Sequence, residues 1–181
     1  MKLRSISLIA VIVFGILSAY GQTERKVNSV EMKAGMTSTV TGNLSEGSRL
    51  ADLSFAWNSS IACFPATQSQ KFTGNHVFYT IDMPSRSIVT VTVEPIRGGT
   101  DLSLYGYQIA AGKHTLPDSL SSAVTCEADH KWDYPKRGQV QTDARTITFN
   151  ATTNSYTLMI AVAGPNLAAS GEYHLKFSLK Q

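Results

Sequence analysis

The sequence predicts an all-β fold: an antiparallel, jelly-roll-like β-sandwich in a single domain, with one or two short helical turns. Three observations support this prediction. Apolar and polar residues alternate with a period of two through most of the chain from residue 76 onwards. Gly, Pro and Asn residues interrupt the alternating runs at short intervals, as in sandwiches. No long stretch has the spacing of an amphipathic helix, so a helical or α/β fold is not expected.

The expected strands combine β-branched or aromatic residues with a turn signal at their ends. The most regular one is 88–94, in which the valines at 89, 91 and 93 share one face. Leu50 to Trp57 has an approximately helical spacing, and we expect one or two helical turns there or a loop that plugs the core. The remaining expected strands are 37–41, 76–81, 102–107, 124–126, 145–149, 156–162 and 173–179.

The first residues have the pattern of a secretory signal peptide. Lys2 and Arg4 precede an apolar run from Ile6 to Leu17, and small residues occupy positions 19 and 21. We therefore expect a signal peptide over residues 1–21 and a mature protein that begins at Gln22, secreted or periplasmic. The apolar run is shorter than the roughly 20 residues of a membrane span, so no membrane insertion is expected after cleavage; an uncleaved anchor is the alternative.

The charge balance gives no reason to expect nucleic acid as a partner. Without Lys2 and Arg4 the chain keeps 14 basic residues against 13 acidic ones, with no block of like charge. The two cysteines, Cys63 and Cys126, form an even pair in an exported chain, which favours a disulfide. A catalytic thiol is the alternative interpretation.

The segment from Ala110 to Gln141 interrupts the strand pattern and is polar. Long irregular loops in compact domains are usually functional or disordered, and the aromatic residues here argue against disorder. The segment also contains residues of the types that bind metals, although loop residues of this kind are more often solvated. They are His114, Asp118, Asp129, His130 and Asp133.

Several short motifs resemble the bacterial pre-peptidase C-terminal domain family. The matching stretches are 75–84, 88–93, 100–105, 125–127, 156–162 and 170–179. The resemblance covers roughly residues 66–179, so we expect the sandwich core at 66–181 after an N-terminal strand and disulfide-bearing segment at 22–65. It implies a β-sandwich module that is appended to secreted peptidases or other exported enzymes and assists substrate binding or secretion. Some family members bind calcium.

No cofactor is expected from the sequence, and calcium is the one alternative; its ligands would be Asp82, Glu94 and Asp101. Calcium requires six to eight oxygen ligands, so these carboxylates would have to meet at the strand ends. The alternative for Asp101 is purely structural. An Asp that follows the Gly98–Gly99 turn can accept backbone N–H bonds.

Aromatic residues supply the second candidate site. Tyr105 and Tyr107 share one face of their strand, opposite Leu102 and Leu104, and Trp132 and Tyr134 come from the polar segment. Exposed aromatic rings stack on sugars or anchor protein partners. The alternative is that these rings cover the core.

No sequence motif for catalysis is present. The four histidines do not have the H-E-x-x-H spacing, and neither a G-x-S-x-G elbow nor a phosphate-binding glycine loop occurs. We therefore expect a protein that is not an enzyme but a binding module for extracellular polysaccharide or protein. The alternatives are an accessory subunit that aids secretion or stability of an exported peptidase or other hydrolase, and a small secreted hydrolase.

Overall fold

The computed structural model describes residues 25–58, 60–117, 120 and 123–181. The expected signal peptide at 1–21 and Asp118 lie outside these residues. The strands are β1 (Val27–Ser29), β2 (Thr37–Asn43), β3 (Ser48–Arg49), β4 (Asn75–Met83), β5 (Ser87–Pro95), β6 (Ser103–Ala110), β7 (Ala123–Asp129), β8 (Arg145–Ala151), β9 (Tyr156–Ala163) and β10 (Glu172–Lys180). One helical turn, α1 (Phe55–Asn58), and two 3₁₀ segments, Leu44–Glu46 and Ala66–Phe72, complete the described elements.

The strands form two sheets, which confirms the predicted β-sandwich. The first sheet has the order β1-β4-β9-β6-β7, with β3 also beside β4, and the second has the order β2-β10-β5-β8. Among the described pairs only β1 and β4 run parallel. The eight strands other than β1 and β3 can be numbered from one to eight along the chain. The first sheet then has the order 2-7-4-5 and the second has the order 1-8-3-6, which is the strand order of a jelly roll.

The sandwich begins earlier in the chain than residue 66. Strand β2 pairs with β10 along its whole length, from Asn43 opposite Glu172 to Thr37 opposite Ser178. Residues 25–65 therefore contribute a strand of the jelly roll itself, rather than a separate segment that precedes it.

The main core fills the space between the sheets and follows the period-two pattern. Val89, Val91 and Val93 of β5 face it, as do the alternating residues Tyr173 to Leu179 of β10. The opposite face of these strands is wetter and rich in threonine, and the hydroxyl of Thr92 lies 2.9 Å from that of Thr146 on the neighbouring strand. The second sheet therefore has one buried face and one partly solvated face.

The first sheet is covered on both faces. Its outer face carries a second apolar cluster, which includes Phe78, Tyr105 and Met159 from the strands. Residues 50–72, called here the cover segment, pack on this face and contribute Phe64 and Phe72, whose rings stack 3.8 Å apart. The helical turn expected within 50–57 forms as α1 and belongs to the cover segment rather than to the space between the sheets.

The predicted disulfide between Cys63 and Cys126 is present and joins the cover segment to β7. The irregular segment expected at 110–141 contains β7, which is longer than the short strand expected at 124–126. The segment is therefore two loops rather than one. Within the part of the chain that is described, no helix is both long and apolar enough to cross a membrane.

Candidate functional site: a loop surface at one end of the sandwich

Two of the four aromatic residues expected to form an exposed platform are in the interior. Tyr105 and Tyr107 are 0 % exposed and pack in the second apolar cluster, so the prediction that they bind a ligand at the surface is wrong. The Phe55 ring of the cover segment lies 6.4 Å from Tyr105 and 6.3 Å from Tyr107. Burial raises the pKa of the Tyr107 hydroxyl. The alternative interpretation, in which these rings cover a core, describes them correctly.

The three carboxylates expected to bind calcium do not meet. Asp82 lies at the end of β4, beside the turn into β5, whereas Glu94 lies near the far end of β5. About seven residues of strand separate the two levels, which corresponds to roughly 23 Å. Within the described residues no group of three or more His, Cys, Asp or Glu side chains is placed to hold a metal ion. A calcium site built from Asp82, Glu94 and Asp101 is therefore not formed.

Two of these carboxylates are neutralised by lysines. Glu94 Oε2 accepts a bond of 2.6 Å from Lys176 Nζ, and Asp101 Oδ2 accepts one of 3.1 Å from Lys131 Nζ. Asp101 thus ties the loop after β7 to the start of β6. At the Gly98–Gly99 turn the acceptor of a backbone N–H is Asp143, because the Gly99 N–H donates to Asp143 Oδ2 at 3.2 Å.

Three of the described histidines and acids of the polar segment have structural partners. His130 packs against Phe72, with ring centroids 5.8 Å apart, and burial together with the nearby Lys71 lowers the pKa of His130. Asp129 Oδ2 accepts the Thr146 N–H at 2.9 Å, and Asp133 pairs with Lys71 at 2.5 Å. His114 lies in the other loop and borders a cavity with Asp82. The expected metal ligands are therefore dispersed.

The loop of residues 130–144 is held firmly at both of its ends. Lys71 and Asp101 hold its first half through the two ion pairs described above. The second half is held by Asp143, which accepts the Gly99 N–H, and by Arg145, whose buried guanidinium donates to the carbonyls of Thr142 and Ala144 at 2.7 and 2.6 Å. The loop is therefore attached to the body of the protein on both sides of its tip.

The tip of this loop displays large side chains to solvent. Tyr134 is 83 % exposed and Val140 is 90 % exposed. Between them the Gln139 N–H donates to the Lys136 carbonyl at 3.1 Å, and Gly138 has a φ of 70° that favours glycine. A tight turn therefore presents Arg137, which makes no ion pair with any residue that the structure describes.

Trp132 lies at the base of the tip and is half-buried. The Lys136 ammonium sits 4.1 Å from the centroid of its ring, a cation–π contact that occupies one ring face. Of the four expected platform residues, only Tyr134 presents an open ring to solvent.

A second loop, residues 164–168, lies on the same side and was not singled out in the sequence. Leu167 is 55 % exposed, and both Asn166 and Leu167 have positive φ, 48° and 65°. Such a backbone persists only where surrounding contacts fix it. The Asn166 N–H donates to the Gln70 carbonyl at 2.8 Å, and the Leu167 N–H donates to the Thr73 hydroxyl at 3.1 Å.

Both loops are attached to the same part of the cover segment. Loop 130–144 reaches it through Lys71, and loop 164–168 through Gln70 and the adjacent Thr73. Their exposed side chains are called here the loop surface. Its members are Tyr134, Arg137, Val140 and Leu167. Only Tyr134 was indicated by the sequence, since exposure of the others depends on contacts made far along the chain.

Comparison with known proteins gives similarity at the level of the fold. No family model and no curated protein matches the chain. A solved structure of the pre-peptidase C-terminal domain of a collagenase from Bacillus anthracis is 13% identical, with a TM-score of 0.42 over 86% of this chain and 96% of that one. The family that the sequence motifs resemble is thus found among similar structures.

Two further solved structures have comparable similarity. A periplasmic inhibitor of g-type lysozyme from Aeromonas hydrophila is 11% identical, with a TM-score of 0.40 over 86% of this chain and 98% of that one. A surface-associated copper-binding protein from Methylomicrobium album BG8 is 12% identical, with a TM-score of 0.45 over 84% and 98% of the two chains. At such low identities the likeness concerns the fold alone.

Proposed function

We propose that the protein is a secreted or periplasmic non-catalytic binding module whose partner is an extracellular protein. The observation that carries this proposal is the loop surface. Tyr134, Val140 and Leu167 expose large side chains on loops that are attached to the body of the protein, one by ion pairs of its side chains and the other by hydrogen bonds of its backbone. A binding surface that is already ordered loses little conformational freedom when a partner docks. The disulfide is consistent with an oxidising compartment.

The chemistry of the surface favours a protein over a polysaccharide. Tyrosine and arginine are enriched among residues that dominate protein–protein affinity. Tyr134 lies just before the turn that presents Arg137. Polysaccharide binding usually relies on open aromatic faces, and Lys136 already occupies one face of Trp132. A glycan partner would depend on Tyr134 alone.

The partner can be tested by photo-crosslinking. The mature protein would carry a photoreactive amino acid at position 134 and would be exposed to the surface and secreted proteins of the organism that encodes it. The matched control carries the same group at Met36, which is 60 % exposed and lies just before β2, at the opposite end of the sandwich. We expect a discrete crosslinked protein from position 134 and none from position 36.

Substitutions then separate specific binding from adventitious capture. The double variant Tyr134→Ala, Arg137→Ala should weaken binding of the purified crosslinked protein at least tenfold without changing the melting temperature, because neither side chain is in a core. Met36→Ala should leave binding unchanged. If the partner is an exported peptidase or other hydrolase, the accessory role is supported.

A parallel assay with insoluble polysaccharides addresses the other partner class. Retention on a polysaccharide that Tyr134→Ala abolishes, with no protein crosslinked, would replace the protein partner by a glycan. Binding to either class that is unaffected by the double variant would reject the loop surface as the site.

A further inference from the structure

A small cavity lies at the edge of the first sheet, at the same end of the sandwich as loop 164–168. Strand β1 pairs with β4 from Phe78 onwards, and β3 pairs with β4 at His76, so a gap remains between β1 and β3. The cavity has a volume of about 200 Å³ and lies against the outer face of β4. Its wall includes Arg25, Lys26, Glu46, Ser48 and His76.

His76 is the buried polar group of this wall. It is 2 % exposed, and its Nδ1 lies 3.0 Å from the Gly74 carbonyl, which can only accept a hydrogen bond. The proton of the neutral ring is therefore on Nδ1. Nε2 is left buried with no hydrogen-bond partner in the described chain, an arrangement that normally costs free energy.

Two cations and one carboxylate border the cavity beside His76. Arg25 and Lys26 approach from the residues before β1, and Glu46 comes from the 3₁₀ turn before β3. Glu46 is already engaged, since its Oε1 accepts the Asn43 N–H at 3.1 Å and its Oε2 lies 3.9 Å from Lys26 Nζ. Two rings of the first sheet lie beside His76. Phe78 stacks beside it and Tyr105 makes an edge contact at 5.8 Å.

We propose that this cavity binds a small oxyanion, a carboxylate or a sulfate-like group, and that His76 takes up one proton from solvent when the anion enters. In the bound state Nδ1–H donates to the Gly74 carbonyl and Nε2–H donates to an anion oxygen, so both ring nitrogens are satisfied. The Arg25 guanidinium and the Ser48 hydroxyl supply further donors. The anion offsets the charge that burial and Arg25 otherwise make unfavourable on the ring.

The pH dependence of anion binding follows from the protonation state of His76 in the cavity without an anion. Burial, opposed by the bond to Gly74 and reinforced by Arg25, lowers the pKa of His76 to about 4. The ring is therefore neutral in the empty cavity at pH 5.5 and above, and binding must bring a proton with it. Affinity should then rise by up to about tenfold for each unit by which the pH falls.

The test is isothermal titration of the mature chain with sodium sulfate in chloride buffers at pH 7.5 and 5.5. Sulfate remains a dianion at both values, so any pH dependence belongs to the protein. We expect saturable binding that is at least tenfold tighter at pH 5.5. Two buffers with different ionisation enthalpies should report uptake of close to one proton. Sodium acetate, titrated in the same way, shows whether the site prefers a carboxylate.

Variants identify the residues. His76→Phe keeps a ring beside Phe78 and should abolish both sulfate binding and proton uptake, and Arg25→Gln should weaken binding at both pH values. Arg97→Gln, at a cation whose side chain is 85% exposed on another loop, is the matched control and should bind as the native protein does. No saturable binding at either pH, or unchanged proton uptake in H76F, would overturn the proposal.

A second measurement decides the matter if H76F does not fold. The ring resonances of His76 in the native protein would be followed by NMR against pH, with and without sulfate. The proposal requires the pKa of His76 to rise when sulfate is present. An unchanged titration rejects it.

Discussion

At the scale of single residues, the interior is specified by a few close contacts that no local pattern reveals. The hydroxyls of Tyr79 and Tyr173 lie 3.0 Å apart in the core and satisfy each other. They occupy the space above Gly42, where an added Cβ would lie 2.6 Å from the Tyr79 hydroxyl and 2.7 Å from the Tyr173 ring. Gly42 is therefore required for clearance.

We expect Gly42→Ala to lower the free energy of unfolding by about 1–3 kcal/mol, because the tyrosine pair must shift within a packed core. Urea unfolding measures the difference. Gly35→Ala is unsuitable as a control, since Gly35 has a φ of 74°, so Ala34→Ser in the same loop is used instead. Stability equal to that of the native protein in G42A would show that the pair can move without cost.

The lowered pKa of His76 leads to a second prediction for a single residue, which concerns the stability of the protein at low pH. Because burial holds this pKa at about 4, against about 6.5 in an unfolded chain, the two states bind the same protons above pH 6.5. As the pH falls from 6.5 towards 4, only the unfolded state becomes protonated, and stability is lost.

We therefore expect the melting temperature in chloride buffer to fall over this range, and His76→Phe to reduce that fall. The lowered pKa of His130 acts in the same direction, so part of the dependence should remain. His174→Gln, on the outer face of the second sheet, is the control. A pH profile that is identical in H76F and the native protein would contradict the assignment.

At the scale of elements, the cover segment explains why alternation of apolar and polar residues predicts exposure correctly in one sheet and not in the other. The expected strands were located from alternation, and each of them is present. The assignment of faces succeeded in the second sheet, where one face is solvated, as in β10. It failed in β6, where Tyr105 and Tyr107 alternate with core residues and yet are buried. Sequence periodicity cannot show that a distant segment, residues 50–72, covers the second face.

The ion pairs that hold loop 130–144 could not be predicted from the sequence for a similar reason. The pairing of Asp101 with Lys131 joins positions 30 residues apart, and that of Lys71 with Asp133 joins positions 62 apart. Nothing in either local segment indicates its partner. The disulfide was predictable because only two cysteines were available.

We expect removal of the disulfide to loosen the cover segment specifically. On the chain-entropy model, a crosslink between residues 63 positions apart stabilises the fold by about 4 kcal/mol. The double variant Cys63→Ala, Cys126→Ala should unfold at lower denaturant concentration and should bind an apolar dye through the exposed face of the first sheet. Reducing agent should have the same effect on the native protein and none on the variant, which provides the control. Equal stability in all samples would contradict this role.

At the scale of the whole molecule, the N-terminal third of the chain supplies one strand of the jelly roll itself. Its first and last strands, β2 and β10, are neighbours, so the fold closes only when residues more than 130 positions apart have paired, Thr37 with Ser178 among them. Residues 25–65 also supply Cys63 and much of the cover segment. The region from 66 to 181, which resembles the family in sequence, therefore lacks one strand of the second sheet and part of the cover segment.

We expect the fragment 66–181 to be unable to form the native fold, because it leaves one side of β10 unpaired and the outer face of the first sheet partly uncovered. The fragment 36–181 is the matched control. It loses β1, an edge strand of three residues, but keeps β2 and the cover segment. Its amide NMR spectrum should be dispersed like that of the mature protein, whereas that of 66–181 should be collapsed. A dispersed spectrum from 66–181 would show that the β-sandwich forms without its first strand and that residues 25–65 are an addition to the fold.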